Sequence, residues 1–388
     1  MKCKNILAVA IIMVMLLMAG CTNVPEAPKE KVEVDNVKYD KFTSESYTAI
    51  FEDYINNTDE KNLIYSPYSY KLALEGLGIV TADFDTDEYL GYACKDNMPK
   101  ELSGTRTKTL TMLNKNEFET KDKNINVVSF PDEAVKLSDN AKKEVFGELL
   151  WPSEYDNGTR FAIMNATKFE SEWAEPFDKS LMRDDEFCTY GDGSGKPGDI
   201  IKKKYMIGEL DTLAYDDDDV MVGMKPLKKT NSAVYFIAAK DFTKDKIAKI
   251  AANITTYVNK LRDYKDGNGA KFYDYVNIKV PTILDETKVD VLKAELNAGH
   301  VGLAKGFKVK DTITNKGDEE LYINDITQFA RFKLDDKGVR AEAVTDIKAE
   351  GAEAPVENPT ELNIECTQPF FVAVESEGVV TFITFIGY

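Results

Sequence analysis

The C-terminal end of the chain narrows its fold most. Phe370 to Val374 and Val379 to Ile386 are apolar runs separated by Ser376-Glu377-Gly378. They read as a hairpin with too few polar residues for either side to face water, so both faces must be buried. Other strand-like runs precede it: Phe161-Ala162-Ile163-Met164, Val234-Tyr235-Phe236-Ile237 and the alternating stretch from Val276 to Val280. Helical patterns come earlier. Tyr47, Ile50, Phe51, Tyr54 and Ile55 recur at helical spacing, with Thr43 or Ser44 as candidate caps. Ser66-Pro67 opens a second helix, serine as N-cap and proline at the first helical position. Its body from Leu72 to Ile79 is apolar nearly all round, as in a buried helix. Asp132 to Leu150 reads as a third helix, and residues 85–125 are too polar to assign. Helices early and strands late, with no βαβ rhythm and no internal repeat, predict the α+β class.

Charge and residue counts then exclude several functions. The 388 residues include 67 acidic and 49 basic side chains, a formal net charge of −18. Such a surface repels a phosphate backbone and anionic lipid headgroups, so no nucleic-acid partner and no basic membrane-surface module is expected. The only histidine, His300, sits in Asn297-Ala298-Gly299-His300-Val301-Gly302, which reads as a turn with a structural histidine. A zinc finger, an H-E-x-x-H protease and a three-histidine zinc site each need more than one imidazole. A Ser-His-Asp triad would have this one alone. Composition therefore leans away from a histidine-dependent enzyme, and no metal or cofactor is expected. Gly191 to Gly198 lacks the four-residue spacer of a phosphate loop, and Pro197 stands where that loop needs Ser or Thr, so it reads as a surface turn. Asp216 to Asp219 lacks the glycine and closing glutamate of an EF-hand and reads as a solvated acidic loop. Glu170 and Glu172 read as surface or ion-pair residues.

The N-terminus reads as an address. Lys2 and Lys4 precede an apolar run from Ile6 to Met18, followed by Ala19-Gly20-Cys21. This describes a secretory signal and resembles a bacterial lipoprotein signal over residues 1–20, with Cys21 as the lipidated first residue. Met18 stands where such signals usually carry leucine; a simple cleaved leader is the other reading. Residues 21–36, rich in Pro, Glu, Lys and Val, read as a flexible tether reaching at most about 50 Å. Residues 37–388 are the expected globular domain of a secreted monomer, held at the membrane surface by lipid on Cys21. Cys94, Cys188 and Cys366 remain; an odd number at wide spacing suggests buried or free thiols.

The informative segment runs from Gly338 to Pro359. Side chains alternate across a strand with period two. Val339, Ala341, Ala343, Thr345, Ile347 and Ala349 fall on one face, all small or apolar. Arg340, Glu342, Val344, Asp346, Lys348 and Glu350 fall on the other, all charged except Val344. The segment is suited to becoming a half-buried strand, yet it runs into an acidic, loop-like stretch with Pro355 and Pro359.

Four motifs in order resemble those of the serpins. Asn165-Ala166-Thr167-Lys168-Phe169 through Trp173 and Pro176-Phe177-Asp178 resembles the N-A-x-x-F-x-x-x-W-x-x-P-F-D signature. Asn62-Leu63-Ile64-Tyr65-Ser66-Pro67-Tyr68-Ser69 resembles the N-x-x-x-S-P-x-S segment. Gln368-Pro369-Phe370-Phe371 resembles the R-P-F-x motif, with Gln368 for the basic residue, and Gly338 with the alternation after it resembles the reactive-loop hinge. The resemblance implies the serpin fold: three β-sheets, about eight or nine helices, and an exposed reactive-centre loop at about 338–360. It implies a suicide serine protease inhibitor. The protease forms an acyl-enzyme with the loop, the cut loop inserts into the central sheet, and the trapped protease cannot deacylate.

Carried over residue by residue, the hinge is Gly338, Val339, Ala341, Ala343 and Thr345. Ser66, Ser69 and Asn165 belong to the polar cluster beneath the sheet's opening point, where Gln328 replaces the usual histidine, and Trp173 marks the loop's entry point. The family's count from the hinge glycine places the scissile bond at Ala352–Glu353. The loop is several residues longer than usual, so Ala354 or Val356 is the alternative within about 349–357. These small residues suit an elastase- or subtilisin-like target. The alternatives are a non-inhibitory serpin acting as a binding or carrier protein, or an inhibitor of cysteine proteases.

Overall fold

The computed structural model describes residues 36–388 apart from 59–60, 83–89, 91, 93–97, 100, 192–195, 229–230, 318 and 340–358. The signal, Cys21, nearly all of the tether, Cys94 and the tip of the glycine-rich turn lie outside the described residues. Six α-helices are present among those residues: α1 (Asn36–Asn57), α2 (Pro67–Val80), α3 (Asp132–Phe146), α4 (Lys244–Ala251), α5 (Ile254–Arg262) and α6 (Val291–Asn297). Two short 3-10 turns accompany them, against an expectation of about eight or nine helices. None of the described helices is long and apolar enough to cross a membrane.

Local sequence explains where these helices start and stop. Ser66 caps α2, its hydroxyl accepting from the Ser69 amide at 3.1 Å, with Pro67 at the first helical position. Thr43 and Ser44 are not caps, because α1 begins at Asn36. The apolar face of α1 reaches back to Tyr39 and Phe42, both fully buried, so burial carries the helix past them. Ser44 Oγ meets Thr255 Oγ1 on α5 instead, at 2.5 Å. Helix α3 stops short of Leu150 because Gly147 adopts a left-handed conformation (φ 84°) and closes the last turn onto Lys143.

The hairpin Phe370–Ser376 and Val379–Ile386 lies at the centre, with every residue of both strands buried. Glu377 and Gly378 both have positive φ, 52° and 87°, as a tight hairpin turn requires. Within a seven-stranded sheet the hairpin sits between Asn62–Tyr65 and Ser232–Ala239. On one face Phe371 and Phe385 pack against Tyr47 and Phe51 of α1. On the other, Phe370 packs with Phe187 of a four-stranded sheet built from Arg183–Tyr190, Pro197–Glu209, Tyr275–Pro281 and Glu361–Glu365.

The described strands form five sheets rather than three, and one cause accounts for part of the excess. A three-stranded sheet contains Ile125–Val128, Thr105–Asn114 and Phe161–Phe169; a four-stranded sheet contains Ser171–Glu172, Gly338–Val339, Thr327–Asp335 and Ile283–Asp290. Glu170 keeps the same ladder, donating to Gly104, so Phe161–Glu172 is one continuous strand shared by both. The two sheets are joined at that strand's top and separate below it. A two-stranded ribbon, Phe118–Thr120 with Ile313–Asn315, is the fifth.

The acidic segments behave as surface features. Asp217 caps the Asp216–Val220 turn, accepting from the Asp219 and Val220 amides, while Asp219 pairs with Lys246 and with Lys249. Glu170 pairs with Lys168 and Glu172 with Lys228.

His300 lies in the turn after α6. Its Nδ1 is 2.5 Å from Oε2 of fully buried Glu295, whose Oε1 accepts from Tyr92 at 2.6 Å. The hydrogen bond to Glu295 raises the His300 pKa from its ordinary 6.5, against the lowering effect of burial. A pKa raised in the folded state means the stabilisation is complete below 6.5 and lost as pH rises through the folded pKa. Urea midpoints should therefore decline across that window, and His300→Gln should flatten the decline.

Candidate functional site

The divergence of the two sheets leaves a slot of about 1720 Å³. Its first wall is the strand Phe161–Phe169 with its continuation to Glu172; its second wall is Thr327–Asp335. Ser66, Ser69, Leu74 and Leu77 on and beside α2 form the floor, and Phe146 and Trp151 stand at the mouth. Among the described residues no ladder joins the two walls below Ser171.

The hinge seats itself at the top. Gly338 and Val339 pair antiparallel with both walls: Gly338 opposite Asp335 and Glu172, Val339 opposite Leu334 and Ser171. Val339 is buried. A Cβ on Gly338 would lie 2.2 Å from the Ser171 carbonyl oxygen and 2.7 Å from the Glu172 Cα, so only glycine fits between these backbones. Trp173 fixes the entrance. Fully buried, it donates Nε1–H to the Asp335 carbonyl at 2.8 Å and its amide to Lys337 at 3.0 Å. Phe177 packs edge-on against it and lies under the Lys225 ammonium, whose pKa burial pushes down.

Midway down, the polar cluster ties both walls to the first turn of α2. The Gln328 amide pairs with Ser66 in both directions: Oε1 accepts from the Ser66 amide at 2.7 Å, and Nε2 donates to the Ser66 carbonyl at 3.0 Å. Ser66 Oγ donates to Thr381 at 2.7 Å, anchoring the cap to the central hairpin. On the first wall, Ser69 Oγ donates to Asn165 Oδ1 at 2.6 Å, and Asn165 Nδ2 donates to Thr109 and Thr107. Ser66, Ser69, Asn165, Gln328 and Val339 thus line the slot, with Gly338 and Trp173 at the hinge above it. Ala341, Ala343, Thr345 and the scissile candidates Ala352, Glu353, Ala354 and Val356 lie outside the described residues. Gln368, in the position of a basic residue, donates to the Ala239 carbonyl at 2.6 Å. Cys188 and Cys366 are free, Cys366 fully buried with its thiol pKa pushed well up by burial.

Sequence reasoning did not single out Lys168, Arg331, Phe329 and Trp151 at the outer rim. The signal was present as i, i+2 alternation in Lys168/Glu170 and Arg331/Lys333, which reads equally well as an ordinary solvated face.

The family model described as Serpin (serine protease inhibitor) matches residues 114–388, and the chain belongs to that family. It is 26% identical over 234 residues to the superinfection exclusion protein of Vaccinia virus (strain Copenhagen), an alignment covering 60% of this chain and 57% of that protein. It is 23% identical over 380 residues to an antitrypsin of Bombyx mori, covering 88% of this chain and 91% of the relative. Among solved structures, the thermophilic serpin tengpin in its native state superposes with a TM-score of 0.71 at 18% identity, over 93% of this chain and 96% of that one. The fold is therefore the serpin fold.

Ser66→Ala removes the cap of α2 and the bond to Thr381 together, and should lower unfolding free energy by about 1–3 kcal/mol in a denaturant titration. Gly338→Val should break hinge pairing with the first wall, seen as faster amide exchange at Ser171 and Glu172.

Proposed function

We propose that this protein is a secreted, surface-anchored serpin that inhibits elastase- or subtilisin-like serine proteases by loop insertion. The antiparallel pairing of Gly338–Val339 with both walls carries the reading. Continued downward, each further loop residue meets the next residue back along each wall. Ala341 would enter between Phe332 and Phe169, two buried rings. Ala343 would meet Ala330 and Thr167, and Thr345 would arrive between Gln328 and Asn165. The first wall ends at Phe161, opposite Ala349; Gly351 follows at the next inward-facing position, and Glu353 is the first charge there.

The chemistry is borrowed from the target. The protease serine attacks the carbonyl carbon of Ala352, the peptide C–N bond breaks, and the amine of Glu353 leaves with a proton supplied by the protease histidine. Residues up to Ala352 remain attached as an ester. Insertion then adds backbone hydrogen bonds to two open strand edges and buries the small face. Gln328 carries no charge near neutral pH, so acid should not open this slot. Cys21 would hold the protein at a membrane through its lipid.

Mixing the full chain with an elastase, a subtilisin and a trypsin should give a covalent band at the summed mass on denaturing gels with the first two alone. Loop cleavage without that band would favour a binding or carrier protein. Ala343→Glu would bring a carboxylate to a buried position and should convert the inhibitor into a substrate, cleaved without complex or thermal gain. Labelled fatty acid should be incorporated by the wild type and not by Cys21→Ala.

A further inference from the structure

Resting on loop insertion, we propose that Lys225 is a positioning residue for the trap: from inside the core it keeps the hinge docked at the top of the slot before any protease arrives. Lys225 lies on the strand Val220–Pro226 and is buried, with 6% of its surface exposed. Its ammonium donates to the Glu209 carbonyl at 2.9 Å and stands 4.7 Å from the centre of the Phe177 ring. The Glu175 and Glu209 carboxylates are its acidic neighbours. Taking an ammonium out of water is costly, and a methionine would fill the same space without that cost. A buried cation of this kind adds little net stability to the fold. What it fixes is the place of the Phe177 ring.

That ring matters because of what its segment holds. Trp173 Nε1–H, the Phe177 amide and the Trp173 amide donate to three consecutive carbonyls: Asp335 at 2.8 Å, Asp336 at 3.2 Å and Lys337 at 3.0 Å. These carbonyls belong to the end of the second wall and the turn after it, from which Gly338 and Val339 emerge. The Phe177 ring meets Trp173 edge-on at 5.6 Å. It also lies against the backbone of Gly208, where a Cβ would fall 2.9 Å from the ring's Cδ1 and 3.2 Å from its Cε1. The ring is thus located at once by the Lys225 ammonium, the Trp173 indole and the Gly208 backbone.

The strand that carries Lys225 also meets the far end of the loop. Gly223 precedes Lys225 by two residues and so shares its face. A Cβ on Gly223 would fall 2.7 Å from Cδ1 of Ile364, in the Glu361–Glu365 strand that follows the loop. One strand of the central sheet therefore touches both ends of the loop, and Lys225 makes the contact at the hinge end. A hinge already paired with both walls begins insertion with its first residues in place. A hinge released from its turn must first find the slot, and the acyl-enzyme hydrolyses in the meantime.

Lys225→Met in the full chain tests this. Amide exchange at Trp173 and Phe177 should accelerate about tenfold, while the urea midpoint of the whole protein stays that of the wild type. With a protease that the wild type traps, about threefold more inhibitor should be cleaved per covalent complex formed. Gly208→Ala, which pushes a methyl group into the same ring, should loosen the same two amides. In a Phe177→Leu background, Lys225→Met should add nothing, because the ammonium acts through the ring. Unchanged exchange in both single variants, or exchange that accelerates only in step with a lower urea midpoint, would overturn the positioning role. A wild type that forms no covalent complex and gains no thermal stability on loop cleavage would overturn loop insertion instead, and the exchange result would still decide whether Lys225 holds the hinge.

Discussion

The structure depends on two β-strand edges held apart. A strand edge facing another at sheet distance normally closes onto it, because unmade backbone hydrogen bonds are costly. Here the Phe161–Glu172 and Thr327–Asp335 strands meet through the hinge at the top and are separated below it. The first turn of α2 ties them: Ser69 to Asn165 on one side, the Ser66 peptide to Gln328 on the other. That turn is itself fixed to the doubly buried hairpin by the Ser66–Thr381 bond. The hairpin, the helix cap and the slot therefore form one mechanical chain, running from the least polar part of the sequence to the most polar cluster at the slot.

Features set by local chemistry were legible in the sequence. The hairpin and the Ser66-Pro67 helix start each follow from side-chain type at short spacing. The tentative caps on α1 failed for the complementary reason: Thr43 and Ser44 look like local stop signals, but burial of Tyr39 and Phe42 carries the helix through them. The slot was implied by the resemblance alone, and composition and spacing do not show it, because the separation of two strands far apart in sequence is a property of packing. Gln328 is an intermediate case. Its identity was plain, and its capacity to donate and accept was expected. That it would embrace both polar atoms of the Ser66 peptide depends on a contact 262 residues away.

The same geometry separates what size and charge contribute. At the hinge, selection is steric: the Ser171 and Glu172 backbones leave no room for a Cβ on Gly338. On the outer face of the first wall Met164 and Ala166 are buried in a cluster with Ala134, Ala141 and Val145 of α3, whereas Arg331 and Lys333 on the second wall are partly exposed, so the two walls meet water unequally.

The proposed insertion also bears on the choice of scissile bond. If the first wall takes up residues through Ala349, a bond after Ala352 leaves three residues between the inserted strand and an attached protease. Moving the bond to Ala354 or Val356 adds about 7 or 14 Å of slack, at roughly 3.5 Å per extended residue. Distortion of the protease requires a short tether, because slack lets the attached enzyme recover its own geometry and hydrolyse the ester. Under the proposed mechanism the extra length of this loop therefore belongs after the cleaved bond, among Glu353 to Pro359. There it joins the segment leading to the Glu361–Glu365 strand and leaves the inserted strand unchanged.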